Sequence, residues 1–404
     1  MIFIMAWRNI WRNKMRSIVI ILSIAIGLFA GIAVLALYKG MMKSRVRAVI
    51  DAEVGHLQLH NRHFKKDFEP AFVIPGGVAV LKSITAMAGV KSAAPRSITN
   101  GMLATTTGSA GVQINGIVPH LEYATSQLKN KIIEGKPFDT AKQNEVMIGK
   151  KLATKMKVKT RSKLVLTFTD TSGNIVSAAF KVAAIYQSDN APLDERNVYV
   201  TMTDLNALLS IGNAFHEIAV LLNNDNEVKN MLQQLQNKFP VCQVESWQEI
   251  SPETDLLVKT TDQYSYIIMV IIMFALAFGI INTMLMAILE RTREIGMMMA
   301  LGTSKIKIFN LVLLETFFLT LAGTPAGLLV GWLLTGYYTK HGLDLSGMGR
   351  DMMSSFGFNT MIYPEFPWDK LTGILLIVFC TAILSCLFPA IKALQLKPVD
   401  ALRN

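Results

Sequence analysis

Apolar residues gather into four long runs, at positions 17–37, 266–289, 308–338 and 371–391, and polar residues are shared very unequally between them. Three of the runs contain no charged residue, and the third contains only Glu315. At about 1.5 Å per helical residue, some twenty residues cross a hydrocarbon core, so each run predicts a membrane-spanning helix. The first run is longer than the roughly 7–15 apolar residues of a signal-peptide core and is read as a retained helix. Residues 38–265 have a different character: charges, Gly, Pro and Asn are spread throughout, and no apolar run there is long enough to span. This stretch predicts a water-soluble domain, large enough for a core of its own and for two lobes.

Within that domain the pattern mixes two periods. Residues 39–50 extend the first membrane helix. Alternating or β-branched stretches predict strands over 55–59, 111–118, 164–169, 175–186, 198–201 and 217–222. The polar connection 170–174, Asp-Thr-Ser-Gly-Asn, predicts a hairpin between two of them. Residues 225–239, with an acidic start, Leu and Met at helical spacing and Pro240 beyond, predict an amphipathic helix. The expected fold is an α-helical membrane protein with four transmembrane helices and a mixed α+β extracytoplasmic domain between the first two.

Charge sets the expected orientation. Residues 1–16 carry Arg8, Arg12, Lys14 and Arg16, with Trp7 and Trp11 four apart on one helix face. They predict an interfacial amphipathic helix, or a basic flank that only sets topology. A short charged stretch, 290–307, separates the second and third runs, and its first seven residues hold four charges that cannot lie in lipid. With the tail 392–404, these segments hold many more cations than acids, which places them in the cytoplasm. The large domain and the loop 339–370 are then extracytoplasmic. The net charge of +11 therefore indicates membrane topology, with no nucleic-acid partner expected.

Candidate chemistry is sparse. With 51% hydrophobic and 17% charged residues the chain is too apolar for an ordinary soluble enzyme. It has no phosphate-binding G-x-x-x-x-G-K-[ST] loop and no recognisable catalytic constellation, so neither ATP hydrolysis nor a bound cofactor is expected of it. Three cysteines cannot build a disulfide framework, since only Cys242 lies in the large domain. His56, His60 and His63 would share a helix face fit for a metal, but residues 55–60 alternate as a strand does, where such histidines are more often surface residues. Gly323, Gly327 and Gly331 recur every fourth residue around Pro325, which baits a close interhelix contact or reflects ordinary membrane composition. Glu315 needs a cation or polar partner on a neighbouring helix, or else snorkels to the interface.

Arg291-Thr292-Arg293-Glu294-Ile295-Gly296, followed by Met299-Ala300-Leu301-Gly302-Thr303 and an apolar helix, resembles the coupling segment of FtsX-like permeases. That group includes the lipoprotein-releasing (LolC/LolE-like) and MacB-type transporters. The start, Ala6-Trp7-Arg8-Asn9-Ile10-Trp11-Arg12-Asn13-Lys14, and the end, Pro389 to Leu394 then Pro398 to Arg403, look like that family's termini. The resemblance implies the permease of an ATP-binding-cassette transporter, paired with a second permease copy or paralogue and two copies of an ATPase that binds ATP and Mg. It implies that Glu290, Arg291, Thr292, Arg293, Glu294, Ile295, Gly296 and Gly302 form the ATPase-coupling segment, with the arginines and Glu294 contacting the partner and the glycines allowing sharp turns or close approach. The alternative is a loop whose cations merely fix topology. Because the chain starts shortly before its first apolar run, the ATPase is expected on another polypeptide, as in the lipoprotein-releasing branch. That branch implies a lipoprotein substrate, entering between residues 20–34 and 267–278 of paired protomers, and a periplasmic carrier recruited by an exposed loop such as 170–174 or 189–197. Efflux of amphiphilic peptides or drugs, and FtsX-like signalling to a cell-wall hydrolase, are the rival expectations.

Overall fold

The computed structural model describes residues 2–12, 14–138, 142–188, 190–348, 353 and 358–395. It divides into a helical unit, Met1–Met42 with Val258–Leu343 and Met361–Asn404, and a mixed unit, Lys43–Leu257 with Asp344–Thr360. Among the described residues four helices are long and apolar enough to cross a membrane: Lys14–Val49, Pro252–Glu290, Lys305–His341 and Leu371–Leu394. The first and second run well past the apolar stretches that predict them, because polar residues with adequate helix propensity continue the hydrogen-bond ladder once a long helix is nucleated. The second starts at Pro252, with Glu253 and Asp255 in its first turn, so residues 252–265 are helix, and the mixed unit ends within them at Leu257. A shorter amphipathic helix, Ile2–Arg12, precedes the first, and Ser17 Oγ donates to the Ile10 carbonyl at 2.6 Å between the two.

The glycines explain how the long helices pack. A Cβ on Gly323 would lie 3.0 Å from the Ile21 carbonyl oxygen, and one on Gly327 would lie 2.8 Å from the Ala25 oxygen; at Gly331 it would meet Ile32. The third helix therefore lays its bare face directly on the first. On another face of the first helix, Gly31 receives the Met269 sulfur and Gly27 receives Leu276, both from the second helix. The fourth helix closes the bundle, with Thr316 Oγ1 2.9 Å from Cys386 Sγ. Residues 361–370 of the loop before it are latched to the first helix: the Glu365 amide donates to the Ala36 carbonyl at 3.1 Å, and Tyr363 passes over Gly40, where no side chain fits.

In the mixed unit ten strands form one sheet: β1 Leu57–Asn61, β2 Val90–Thr105, β3 Gly108–Ile117, β4 Ile132–Gly135, β5 Glu145–Gly149, β6 Lys163–Thr169, β7 Ile175–Tyr186, β8 Asn197–Thr201, β9 Glu217–Leu222 and β10 Cys242–Ser246. The pairings β2–β3, β3–β8, β8–β5, β5–β7, β7–β6 and β6–β2 make a closed circuit around a core that includes Leu103, Ile114, Ile148, Leu166, Phe180 and Val200. A second core lies under β10, β1, β9 and the first half of β2, covered by helices Gly77–Thr85 and Val228–Lys238. The unit thus has two lobes threaded by one long strand.

That strand, β2, is absent from the sequence expectation. Pro95, Gly101 and several small residues break its alternation. Pro95 pairs with Ile218 of β9 just before the pairing with β3 begins at Arg96, so it stands where β2 has a strand neighbour on one side only. The hairpin between β6 and β7 turns at 170–174, with Gly173 at φ +83° and the Asp170 carboxylate accepting from the Ser172 and Asn174 amides.

The histidines differ from expectation. His56 and His60 are buried: His56 Nδ1 accepts from the Leu222 amide at 3.1 Å while its other nitrogen donates to Asp225 at 3.0 Å, and His60 lies 3.1 Å from Glu245. They are interior hydrogen-bonding groups, since β1 lies between β9 and β10 and has little access to water. Among the described residues no three metal-ligating side chains gather.

Two outcomes test this packing. Gly327→Val forces a methyl group against the Ala25 carbonyl and should destabilise the bundle by about 1–3 kcal/mol, lowering its thermal midpoint, whereas Gly336→Ala, which meets nothing, should leave it unchanged. In the mixed unit, hydrogen bonds from His60 and then Lys65 hold the Glu245 carboxyl down to about 2, from 4.5. Its contribution is therefore complete above the ordinary value of 4.5 and is lost as pH falls through that value toward 2. Glu245→Gln should flatten the acid limb of the stability–pH curve in that window, read by tryptophan fluorescence.

Candidate functional site

The charged end of the helical bundle is built by a short connection that the sequence specifies at both ends. The second long helix stops at Glu290, and Thr292 Oγ1 donates back to the Leu289 carbonyl at 2.7 Å as the short helix Thr292–Ala300 begins. The short helix ends at Gly302, whose φ of +85° favours a residue without a side chain. The Gly302 amide donates to Met299 and the Thr303 amide to Met298, each at 3.0 Å, which satisfies the last carbonyls and releases the chain into Lys305–His341. Gly296 is a buried residue inside the short helix, so the sharp turn belongs to Gly302 alone.

Glu315, buried in the third helix, is the centre of the arrangement. Arg16 Nη2 donates to its Oε1 at 2.6 Å, and Arg291 Nη1 lies 3.1 and 3.3 Å from its two oxygens. Arg291 also donates from Nη2 to the Asn9 carbonyl at 3.3 Å. A lone carboxylate among apolar side chains would be costly, and two guanidiniums supply charge-assisted hydrogen bonds to both oxygens. One buried acid thus ties together Ile2–Arg12, the start of the first long helix, the exit of the second, and the third. A second ion pair, Arg12 with Glu294, joins the N-terminal helix to the short helix; both groups are half exposed, so it adds geometry more than energy.

The expected coupling residues are therefore divided by side. Arg291 and Ile295 point inward; Arg291 is a correction to its expected outward contact, because its guanidinium is consumed by Glu315. Glu290, Arg293 and Glu294 are exposed, with Glu294 held by Arg12, and Thr292 is a local cap. Sequence reading missed two groups. Arg16 and Arg12 serve as specific partners beyond setting topology; the signal was one acid in the third run facing cations that border the first two. The exposed apolar residues Met297, Leu301 and Ile306 flank the turn, and Leu301 is 81% accessible.

Other expected features are placed as follows. Gly323, Gly327 and Gly331 meet the first helix, and Pro325 lies between the first two of them within the third helix. Ile20, Ile24, Leu28 and Ile32 are buried inside the bundle and are not open lining, while Ile267, Ile271, Phe274 and Phe278 are exposed. Of the two candidate carrier loops, 170–174 is an exposed hairpin tip. In the other, Asp189 is outside the described residues and Ala191–Arg196 is a helix with Asp194 buried against Ser188, so it is no exposed loop. Residues 396–404, with the expected terminal motif from Pro398, also lie outside the described residues.

Removing the central acid tests the site. Glu315→Gln leaves two guanidiniums facing a neutral amide and should cost about 3–5 kcal/mol, and Arg16→Gln in the same chain should cost less than the sum of the two single changes. Thermal unfolding of the four proteins in detergent measures the coupling.

Two family models match the chain. The MacB-like periplasmic core domain matches residues 17–238, more than half of its length, and the FtsX-like permease C-terminal domain matches residues 266–398, which contain the short helix and Glu315. An uncharacterized ABC transporter permease of Methanocaldococcus jannaschii is 33% identical over 128 residues, covering 32% of this chain and 29% of that protein. The pyoverdine export ATP-binding/permease protein PvdT of Pseudomonas savastanoi is 23% identical over 99% of this chain and 58% of its own length. The lipoprotein-releasing system transmembrane protein LolC of Neisseria meningitidis is 24% identical over 97% of this chain and 95% of its own. The chain thus spans under a third of the first relative and just over half of the second.

Proposed function

The chain belongs to the FtsX/MacB family of ABC transporter permeases, and from that premise we propose that it is the membrane subunit of a transporter that lifts lipoproteins out of the inner membrane. The observation that carries the mechanical part is the two-sided short helix Thr292–Ala300. Its outward side and following turn offer Arg293, Met297 and Leu301 to an ATPase, and at its base Arg291 is fixed to Glu315 and to the N-terminal helix. Displacement of the short helix by the ATPase is then transmitted to the first and third helices, because an ion pair in a low-dielectric setting resists separation.

In this reading two permeases, identical or paralogous, sit on two ATPase subunits that hold the ATP and Mg. The charged end faces the cytoplasm and the two-lobed domain the periplasm. Similarity along almost the whole of a lipoprotein-releasing relative supports the lipoprotein as cargo, and the hairpin tip 170–174 is the loop available to a periplasmic carrier. Export of an amphiphilic small molecule is the second reading, favoured by the likeness to the pyoverdine exporter along 99% of this chain.

The test is ATP hydrolysis by the chain co-purified with its ATPase in nanodiscs. A triacylated lipoprotein should stimulate hydrolysis several-fold, and Leu301→Glu and Glu294→Lys should lower it by weakening the docked short helix. Indifference to lipoprotein with stimulation by an adaptor would favour export, and failure of any ATPase to associate would remove the coupling reading.

A further inference from the structure

A groove of about 650 Å³ opens beside the central ion cluster, between the start of the first long helix and the end of the second. Its polar wall is Arg12, Lys14 and Arg16, with Glu290 as the one acid, and its apolar wall is Met15, Val19 and Met286. The two walls have different owners of charge. Arg12 is engaged by Glu294, and Arg16 and Arg291 share Glu315 with Glu290 close to Arg16, so the four cations Arg12, Lys14, Arg16 and Arg291 face three acids and the excess positive charge is that of Lys14. Arg16 Nη2 reaches Glu315, and its buried Nε and Nη1 have no hydrogen-bond partner among the described residues. Lys14 is exposed at the mouth.

The groove also lies at a definite depth. It is flanked by two helices long and apolar enough to span a bilayer, at the end where charges begin. Trp7 and Trp11 are half exposed on the adjoining amphipathic helix, with rings 6.0 Å apart, as tryptophans at a headgroup layer are placed. Polar cations at the headgroup level above an apolar wall of methionine and valine match a molecule that is anionic at one end and acyl at the other.

We infer that this groove is a binding site for a single anionic phospholipid, whose phosphate sits over Lys14 and Arg16 and whose acyl chain lies along Val19 and Met286. The lipid supplies the negative charge that answers Lys14, and so joins the bilayer to the groove whose wall includes Arg16, a partner of the acid that fixes the short helix. The inference rests on the four helices spanning a bilayer, and neither the cargo nor the ATPase enters it.

Native mass spectrometry of the full chain, taken through a delipidating detergent and given defined lipids, tests the site. Phosphatidylglycerol should be retained at one per chain and phosphatidylcholine of the same acyl length held at least about ten-fold more weakly. Lys14→Gln, at an exposed position, should weaken phosphatidylglycerol about five-fold, the effect of one basic residue at an anionic surface. Met286→Trp, which fills the apolar wall, should expel the lipid with an unchanged thermal midpoint. Equal retention of the two lipids would overturn the proposal, as would retention of phosphatidylglycerol unaltered by Lys14→Gln. Binding of free glycerophosphate as tight as that of the lipid would replace it with a soluble-anion site.

Discussion

A carboxylate buried in a bundle of apolar helices must be matched by positive charge, and the shape of the charged end follows from how Glu315 is matched. Its two arginines come from different parts of the chain, one from the first turn of the first long helix and one just after the second. Neither could reach the acid if the N-terminal helix or the short helix lay elsewhere. The requirement is electrostatic in origin but geometric in effect: it fixes the directions in which three chain segments leave the apolar bundle.

The two units depend on different kinds of order. In the helical unit, contact comes from the absence of side chains, since the glycines of the third helix let backbone approach backbone. In the mixed unit, order comes from closure: six strands pair in a circuit, so the lobe exposes few strand edges, and β2 continues from that circuit into the neighbouring core. A strand belonging to two cores makes the lobes of that unit mechanically dependent.

The parts of this architecture that read clearly from the sequence are those set by composition over a long window. Residues 266–289 and 371–391 could hardly be anything but apolar helices, and 175–186 alternates well enough to be a strand end to end. What escaped was set by neighbours distant in sequence. β2 has Pro95, Gly101 and small residues, and it is a strand because β9, β3 and β6 each pair with part of it. Likewise, Arg291 stands in a run of charges that looks wholly solvent-facing, and only the meeting of three helices shows that it turns inward while Arg293 does not. The need of Glu315 for a cation was legible; which cations answer it was a matter of tertiary geometry.

The first long helix meets its neighbours through unlike materials. Toward the third helix the contact is glycine against backbone carbonyls and β-branched isoleucine, which has few alternative rotamers and no slack. Toward the second it is glycine against Met269, Met273 and Leu276, and methionine can change rotamer to fill whatever gap remains. The bundle is therefore stiff along one seam and compliant along the other, so the first and third helices form a single lever whose slip plane runs along the second.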